Sequence, residues 1–315
     1  MRTFDSDALE CLAAIVEEGG FERAAVRLSV TQSAVSQRLR SLEAQVGTVL
    51  LVRSRPIKPT AAGRLLLKHA MQMRLLRADL ETDLQDLAPG GGATREEERV
   101  SIAINADSIA TWALSALGPL VSEGLPLEII TDDQDFTHEW LREGQVLGCV
   151  TTLKEALRGC KVLPLGAMHY VAVASPRYAQ AHCPQGLTPH NFRNIPFIAF
   201  NRKDDLQTEF VGRACGLRRV TLSQRFVPSS EGQVRAVLAG WGASVVPELQ
   251  VRSLLERGEL LNLVPQVTLP VNLYWHCWNL HSVVIDRLTA ALAASAAQAL
   301  GTRTTRKTGL MRSGA

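Results

Sequence analysis

The residues of this chain best suited to specific chemistry are hydrogen-bonding side chains close together near the N-terminus: Ser33, Ser36, Gln37 and Arg40. At 3.6 residues per turn they share one face of a helix predicted within residues 31–43. Val35, Leu39 and Leu42 form an apolar stripe on the opposite face. The Thr31 hydroxyl can cap the first turn of this helix. Because such polar side chains reach base edges and phosphates, the polar face is suited to reading DNA.

An ordinary solvated helix face is the alternative for this polar stripe, and the distribution of charge argues against it. Residues 23–77 hold eleven basic side chains and one acid, Glu43, which gives this segment a charge of +10. The whole chain carries +3 at pH 7, so the remaining residues carry −7. Basic charge concentrated in one segment is expected where a protein meets phosphates.

The residues before the polar stripe predict the first two helices of a helix-turn-helix. Asp7 and Glu10 resemble a capping pair, and an apolar repeat at helical spacing continues from there until Gly19. Residues 21–28 predict a second, short helix. Small side chains that let the helices cross closely lie in this region: Ala24, Ala25 and Ala34.

A basic loop with two prolines, residues 53–59, follows a predicted short strand at 49–52. Because proline restricts the backbone and arginine can bind a phosphate with two hydrogen bonds, this loop is interpreted as a wing that contacts the DNA backbone. A merely solvated basic loop is the alternative. The residues predicted to contact DNA are Gln32, Ser33, Ser36, Gln37, Arg40, Arg53, Arg55 and Lys58.

A long helix is predicted over residues 64–87, with an apolar side chain at every seventh position: Leu66, Met73, Leu80 and Leu87. Ala70, Leu76 and Leu84 widen this stripe, which requires a partner helix. Pairing with a second copy of the chain is favoured, because two reading helices on a two-fold axis match a palindromic operator. Packing against the C-terminal part of the same chain is the alternative. A proline and three glycines at 88–93 predict a hinge.

Beyond residue 99, strand patterns and helix patterns alternate, which indicates an α/β fold with a mostly parallel sheet covered by helices. Strands are predicted at 100–104, 127–131, 146–151, 171–174, 196–200, 220–226, 243–246 and 269–278. Helices are predicted at 109–120, 136–142, 206–215, 231–239, 248–257 and 283–300. The number of units favours two lobes over one continuous sheet. Residues 301–315 are expected to form a disordered basic tail.

Small molecules bind open α/β sheets beyond the carboxyl ends of strands, where helix N-termini offer unpaired amides. Polar residues at such predicted strand ends are the candidates for effector binding: Asn105, Asp107, Ser108, Thr151, Asn201, Ser229 and Glu231. Ser108 and the first-turn amides beside it can hold a carboxylate.

Several acids near these strand ends favour a cationic head group on the ligand: Asp107, Asp132, Asp133 and Glu231. Each of these acids can equally be a helix cap or a solvated loop residue. A ligand with one carboxylate and one distal cation satisfies both sets of polar groups.

Other functional classes find little support in the sequence. No G-x-S-x-G, H-E-x-x-H or C-x-x-C motif occurs, and the seven dispersed histidines are interpreted as packing or surface residues, so neither an enzyme nor a metal or cofactor site is expected. The six scattered cysteines predict reduced, mostly buried thiols. Because no run of about 18 apolar residues and no signal peptide pattern occurs, a cytoplasmic protein is expected.

Within residues 24–63 the chain resembles the DNA-binding region of LysR-type transcriptional regulators at Ala24-Ala25, Leu28, Thr31-Gln32-Ser33-Ala34-Val35-Ser36, Leu42-Glu43, Gly47, Leu50, Arg53 and Pro59-Thr60-Ala61-Ala62-Gly63. Further segments resemble the ArgP branch of that family, which regulates basic amino-acid export: residues 20–25, 52–56, 105–112, 229–231 and 273–276. The resemblance covers nearly the whole chain before the tail.

The resemblance implies a winged helix-turn-helix, a long linker helix used in dimerisation, and a two-lobed α/β effector domain like periplasmic binding proteins. It implies domains at 1–60, 61–93 and 94–300, with the second lobe at about 167–267. Members assemble as dimers or tetramers and alter DNA bending or RNA polymerase recruitment when a co-effector binds. By position, four residues would line the cleft between the lobes: Ser108, Thr151, Asn201 and Ser229.

The resulting hypothesis is a cytoplasmic regulator that senses lysine or arginine and controls genes such as a basic amino-acid exporter. One alternative keeps the regulator and changes the co-effector to an aromatic or organic acid. A second alternative is a small-molecule-binding protein whose basic N-terminal part does not act on DNA.

Overall fold

A computed structural model describes residues 3–55, 57–87, 99–132 and 137–300 of the chain. The predicted hinge at 88–93, the predicted tail at 301–315, Pro56 of the predicted wing and Asp133 lie outside the described residues. The chain forms two compact units. The first contains the described residues within 1–106, 117–163 and 275–291, and the second contains those within 107–116, 164–274 and 292–315.

The first unit begins with three helices and an antiparallel hairpin: α1 (Ser6–Glu17), α2 (Phe21–Arg27), α3 (Gln32–Val46), β1 (Leu51–Val52) and β2 (Lys58–Pro59). We call these five elements the head. All three helices contribute to one apolar core, which includes Leu12 of α1, Ala24 of α2 and Leu39 of α3. The arrangement confirms the predicted winged helix-turn-helix.

Hydrogen bonds from side chains fix the helix ends of the head. The Asp5 carboxylate accepts a hydrogen bond from the Asp7 amide at 3.2 Å, so Asp5 caps α1. The predicted capping pair of Asp7 and Glu10 is therefore wrong, because the helix begins before Asp7. The Thr31 hydroxyl accepts from the Ala34 amide at 3.2 Å, which confirms the cap predicted for α3. Gly47 ends α3 with a φ of 86°, a conformation that favours glycine.

Helix α4 (Ala61–Leu87) corrects part of the predicted apolar stripe. Leu66 and Ala70 are buried in the core of the head, so the prediction that they face a partner helix is wrong. The first turns of α4 use these side chains to close the head's own core. The remaining described members of the stripe are between 39% and 56% exposed: Met73, Leu76, Leu80 and Leu84.

The next elements along the chain are β3 (Val100–Asn105), α5 (Ala106–Ser108), a π-helical turn (Ile109–Ala113), α6 (Leu114–Ser122), β4 (Leu127–Asp132), α7 (Thr137–Arg142) and β5 (Gly148–Thr151). In the first unit, β3 pairs in parallel with both β4 and β5. All residues of β3 and β5 are buried, including the polar side chains of Ser101, Asn105 and Thr151. The Thr137 hydroxyl at the start of α7 donates to the Val150 carbonyl oxygen at 2.6 Å.

The rest of the chain forms β6 (Cys160–Ala174), α8 (Pro176–His182), β7 (Phe197–Ala199), α9 (Leu206–Cys215), β8 (Gln224–Phe226), α10 (Ser230–Leu238), β9 (Ser244–Pro247), α11 (Glu248–Glu256), β10 (Leu261–Asn262), β11 (Leu269–Trp278) and α12 (Val283–Ala299). Strands β6 and β11 each contain residues of both units.

The pairing of strands in the second unit corrects the expected sheet. β7 pairs in parallel with β8, but β6 pairs antiparallel with both β9 and β10. The prediction of a mostly parallel sheet is therefore wrong for this unit. Alternation of strands and helices along the chain does not fix strand direction, because that depends on where each connection returns the chain.

Most elements were located well from their apolar patterns. The strand predicted at 269–278 and the helix predicted at 206–215 are confirmed at both ends. The strand predicted at 171–174 is only the end of β6, which begins at Cys160. Pro164 and Gly166 interrupt the strand pattern in the missed part.

The described part of the chain shows neither a membrane-spanning helix nor a metal site. There, no helix combines the length and apolar character needed to cross a membrane, and no group of three His, Cys, Asp or Glu residues is arranged to hold a metal ion. Four of the six cysteines are buried and all six are free thiols, which confirms the expected reduced, mostly buried cysteines. Burial also raises the pKa of the Cys149 thiol, so it stays protonated.

The junction between the hairpin and α4 depends on Gly63. A methyl group added there would lie 2.0 Å from the Leu50 carbonyl oxygen, which accepts a hydrogen bond from the Thr60 amide at 2.8 Å. We expect Gly63→Ala to lower the free energy of unfolding by about 1–3 kcal/mol, measured by denaturant titration. Gly118→Ala is the control and should not lower the free energy of unfolding, because its added methyl meets nothing within 4 Å and alanine is the better helix former inside α6. Equal stability of both variants would contradict the close packing at Gly63.

Candidate DNA-reading surface and effector site

The polar face of α3 is oriented as the sequence predicts. Val35, Leu39 and Leu42 are buried in the core of the head. The residues predicted to read DNA lie on the solvent side, with Ser36 half-buried and the others exposed: Gln32, Ser33, Gln37 and Arg40. An exposed row of short and forked hydrogen-bonding groups can form contacts with base edges and phosphates.

Hydrogen bonds within α3 already orient part of this surface. The Ser33 and Thr31 hydroxyl oxygens lie 2.9 Å apart, and the Arg40 Nε donates to the Ser36 carbonyl oxygen at 3.2 Å. The Arg40 side chain therefore lies along the helix surface. Its guanidinium group is held at a defined position on the exposed face.

Arg38 has a different role from its neighbour Arg40. Its Nη2 lies 3.2 Å from the Asp7 carboxylate, and its Nη1 lies 3.9 Å from the Cys11 sulfur. Both partners belong to α1, so Arg38 anchors the reading helix on the first helix. Sequence reasoning did not find this role, because the partner residues are more than 25 positions away.

The predicted wing is the hairpin of β1 and β2, and Arg53, Arg55 and Lys58 are all exposed on it. The Arg53 guanidinium lies over the Phe21 ring, 5.7 Å from its centroid, which attaches the hairpin to α2. The Glu43 carboxylate of α3 accepts a hydrogen bond from the Leu50 amide at 2.8 Å. Glu43, the single acid of the basic segment, therefore ties the reading helix to the wing.

Two of the predicted effector residues, Asn105 and Thr151, lie in the first unit. Asn105 is buried at the end of β3, and its Oδ1 has no hydrogen-bond partner among the described residues. Thr151 is buried at the end of β5, where its hydroxyl accepts from the Leu153 amide at 3.4 Å. Both residues thus place polar atoms at the carboxyl ends of parallel strands.

The second unit brings Asp107 together with residues far away in sequence. The Tyr170 hydroxyl donates to Asp107 Oδ2 at 2.7 Å, and the Ser230 hydroxyl donates to Asp107 Oδ1 at 2.5 Å. The Ser230 oxygen also lies 3.1 Å from Gln250 Oε1. Asp107 is therefore held by side chains from β6 and α10.

Two carboxyl groups in this region are costly to ionise. Burial raises the pKa of Asp107, the hydrogen bonds from Ser230 and Tyr170 oppose the increase, and the Asp204 charge adds to it. Burial also raises the pKa of Asp204, against the hydrogen bonds that its carboxylate accepts from the Phe200 and Leu206 amides. A bound cation would favour the ionised form of both acids.

Of the other predicted effector residues in the second unit, Ser229 and Asn201 form local hydrogen bonds, whereas Glu231 and Ser108 have no such bond among the described residues. Ser229 is exposed and caps α10 by accepting from the Gly232 amide at 3.0 Å. Asn201 accepts from the Lys203 amide at 2.6 Å, and Glu231 is exposed in the first turn of α10. Ser108 is fully buried, and its hydroxyl has no partner among the described residues.

Sequence reasoning missed the groups that hold Asp107. Tyr170 lies within β6, and Ser230 directly follows the predicted effector residue Ser229. Asp204 lies three residues beyond Asn201. The only signal in the sequence was the closeness of Ser230 and Asp204 to predicted strand ends.

Comparison with known families identifies both parts of the chain. Residues 6–64 match the family described as bacterial regulatory helix-turn-helix protein, lysR family. Residues 93–297 match the LysR substrate binding domain. The chain belongs to the LysR family.

Similar proteins support this assignment over nearly the full length. The LysR-family chain is 43% identical over 296 residues to the transcriptional regulator ArgP of Pseudomonas fluorescens, covering 94% of this chain and 97% of the relative. It is 42% identical over 292 residues to the regulator LysG of Mycobacterium tuberculosis, covering 93% of each chain.

Solved structures resemble it as well. ArgP from Mycobacterium tuberculosis is similar with a TM-score of 0.79 and 40% identity, over 93% of this chain and 98% of the other. LysG from Corynebacterium glutamicum with bound effector Arg is similar with a TM-score of 0.70 and 34% identity, over 94% of this chain and 99% of the other.

These relatives are named transcriptional regulators, so the chain is a DNA-binding regulator and not an enzyme. The prediction of the LysR type and of its ArgP branch is confirmed by the family and by the relatives. The individual DNA-contacting and effector-binding residues remain predictions.

Arg40 provides a direct test of the reading face. Arg40→Ala is expected to weaken operator binding by about 1–3 kcal/mol, through loss of a base or phosphate contact, in a mobility-shift titration at several salt concentrations. The control is Arg142→Ala, which removes the same charge from an exposed side chain on α7. If Arg40→Ala binds as tightly as the wild type, the Arg40 side chain is not part of the interface.

Proposed function

We propose that this LysR-family regulator binds a palindromic operator as a homodimer or homotetramer and responds to lysine or arginine. The observation that supports this choice of ligand is the half-buried carboxyl of Asp107, which accepts hydrogen bonds from Tyr170 and Ser230 and whose pKa is raised by burial and by the nearby Asp204 charge. The arginine bound to the Corynebacterium glutamicum relative agrees in chemical class.

The polar groups of the second unit match the two ends of a basic amino acid. The distal cation would bind at Asp107, where it would replace part of the hydration that burial removes. The Ser108 hydroxyl, buried and unpartnered among the described residues, would accept or donate a hydrogen bond to the amino-acid end. An aromatic or organic acid without a cation would bring no positive charge to offset the cost of ionising Asp107 and Asp204, so the alternative co-effector is disfavoured.

We infer the pairing surface from α4. Its exposed stripe of Met73, Leu76, Leu80 and Leu84 recurs at spacings of three and four residues, as on a helix that packs against another helix. A second copy of α4 would cover this stripe and place two heads on one DNA duplex. Half-sites about one helical turn apart would then be read by the two α3 helices.

In the proposed mechanism, the ligand changes transcription by favouring one arrangement of the oligomer over another. A ligand with equal affinity for both arrangements would have no effect. The output would be altered DNA bending or contact with RNA polymerase, at a gene such as a basic amino-acid exporter. A regulator of chromosomal genes would act in the cytoplasm.

Calorimetry of the purified protein tests the ligand class. Arginine and lysine are expected to bind, and Asp107→Asn is expected to weaken them by about 10- to 100-fold, as for loss of a hydrogen bond to a charged group. Asp205→Asn is the matched control, because Asp205 is an exposed acid next to Asp204. Binding of an aromatic acid but of neither basic amino acid would overturn the proposed ligand.

The same titrations have an expected pH dependence. Because the pKa of Asp107 is raised in the free protein and a bound cation favours its ionised form, binding releases a proton. The affinity for arginine should therefore increase as the pH rises through the raised pKa and then level off. The slope should be smaller in Asp107→Asn, where only Asp204 of the two acids keeps a raised pKa.

Sedimentation velocity tests the pairing surface. Leu80→Glu places a charge in the exposed apolar stripe and is expected to raise the dimer dissociation constant at least about 10-fold, because that charge would be buried on pairing. Leu80→Met is the control and should associate like the wild type. If Leu80→Glu associates normally, another surface pairs the two copies.

A further inference from the structure

Arg74 of the long helix α4 is nearly buried, and its guanidinium contacts acidic side chains of the head. Its side chain is 9% exposed. Its Nε donates to Glu10 Oε2 at 2.7 Å, its Nη2 donates to Glu10 Oε1, and its Nη1 donates to Glu17 Oε1 at 2.7 Å. One guanidinium therefore joins two carboxylates of α1.

The geometry of these contacts uses the full shape of arginine. Glu10 and Glu17 are seven residues apart, which places them on the same face of α1, two turns apart. The planar guanidinium holds Glu10 with two parallel hydrogen bonds and reaches Glu17 with its remaining nitrogen. A lysine ammonium is a single point charge and cannot reproduce this fork.

Two further arginines add contacts that join α2 and α4 to α1. The Arg27 guanidinium of α2 forms ion pairs with both Glu17 and Glu18. The Arg77 Nη2, one turn beyond Arg74 on α4, donates to the Ser6 hydroxyl at 3.0 Å. Helices α4, α1 and α2 are thus joined by a chain of charged side chains, which we call the clamp: Glu10, Glu17, Arg27 and Arg74.

The clamp lies beside the stripe that we propose pairs two copies. Arg74 follows Met73 directly, so the two side chains point about 100° apart around the axis of α4. One face of the same helical turn would contact the second copy, and the adjacent face holds α1. Arg38 and the apolar core fix α3 on α1, so the position of the reading helix relative to α4 depends on two connections: the clamp, and the part of the core that α4 contributes with Leu66 and Ala70.

We propose that Arg74 is a positioning residue that fixes the angle between α4 and the head, and so determines which spacing of two half-sites the dimer accepts. The inference rests on the proposed function as a DNA-binding dimer. One base pair of added spacing rotates a half-site by about 34° around the duplex, since a turn holds about 10.5 base pairs. A head held at a fixed angle to α4 would not bind the rotated half-site, whereas a head that can change this angle would still bind it.

The test uses the full-length protein and DNA carrying the two half-sites mapped by footprinting in its own upstream region, at the native spacing and with two added base pairs. The wild type is expected to bind the native spacing at least about 10-fold more tightly. In Arg74→Met this ratio should fall to within about threefold of unity. Arg74→Lys keeps the charge without the fork and should give an intermediate ratio.

Two controls separate positioning from stability. Leu12→Ala removes a buried core side chain of α1 and lowers stability without removing a charge of the clamp, so it should preserve the spacing ratio of the wild type. Glu17→Gln weakens the clamp more mildly and serves if Arg74→Met does not fold. This variant should also lower the ratio.

Different results would contradict the role of Arg74 and the proposed DNA-reading function. If the wild type prefers the native spacing and both Arg74→Met and Glu17→Gln keep the same ratio, Arg74 only stabilises the fold and the inference is wrong. If the wild type shows no sequence preference at any spacing, the proposed DNA-reading function itself fails.

Discussion

The burial of one face of α3 is the interaction on which the function of the head depends. Val35, Leu39 and Leu42 close the core against α1 and α2, and the helical repeat then directs Ser33, Gln37 and Arg40 to solvent. A polar face can read DNA only when its orientation is fixed by such packing. The ion pair of Arg38 with α1 and the hydrogen bond from the Leu50 amide to Glu43 secure the reading helix on both sides.

Opposite electrostatics distinguish the DNA-reading surface from the proposed effector site. The head exposes arginine and lysine side chains, which phosphates can neutralise without burial of an unpaired charge. In the second unit, Asp107 and Asp204 are held where burial disfavours their charged forms. A cationic ligand would reduce that cost, so the energy of ligand binding would come largely from an acid that the fold keeps poorly solvated.

Helix α4 connects the head to the rest of the first unit. Its first turns complete the core of the head, and its exposed stripe is the proposed pairing surface. The Lys68 ammonium of α4 also donates to the Arg158 carbonyl oxygen at 3.2 Å, and a methyl group at Gly144 would lie 2.9 Å from the Lys68 backbone. The part of the first unit that holds Gly144 and Arg158 therefore packs directly on the helix that carries the head.

The helix-turn-helix could be predicted from the sequence, because its apolar residues recur at helical spacing and its basic residues cluster locally. It also determined most strands and helices of the C-terminal part, since each has its own apolar pattern. Three features could be seen only in the folded chain. Leu66 and Ala70 face the core of the head, and β6 pairs antiparallel with β9. The side chains that bind Asp107 and Arg74 are the third. The strand pairing and the partners of Asp107 and Arg74 join residues more than 50 positions apart, and local periodicity carries no information about such distant partners.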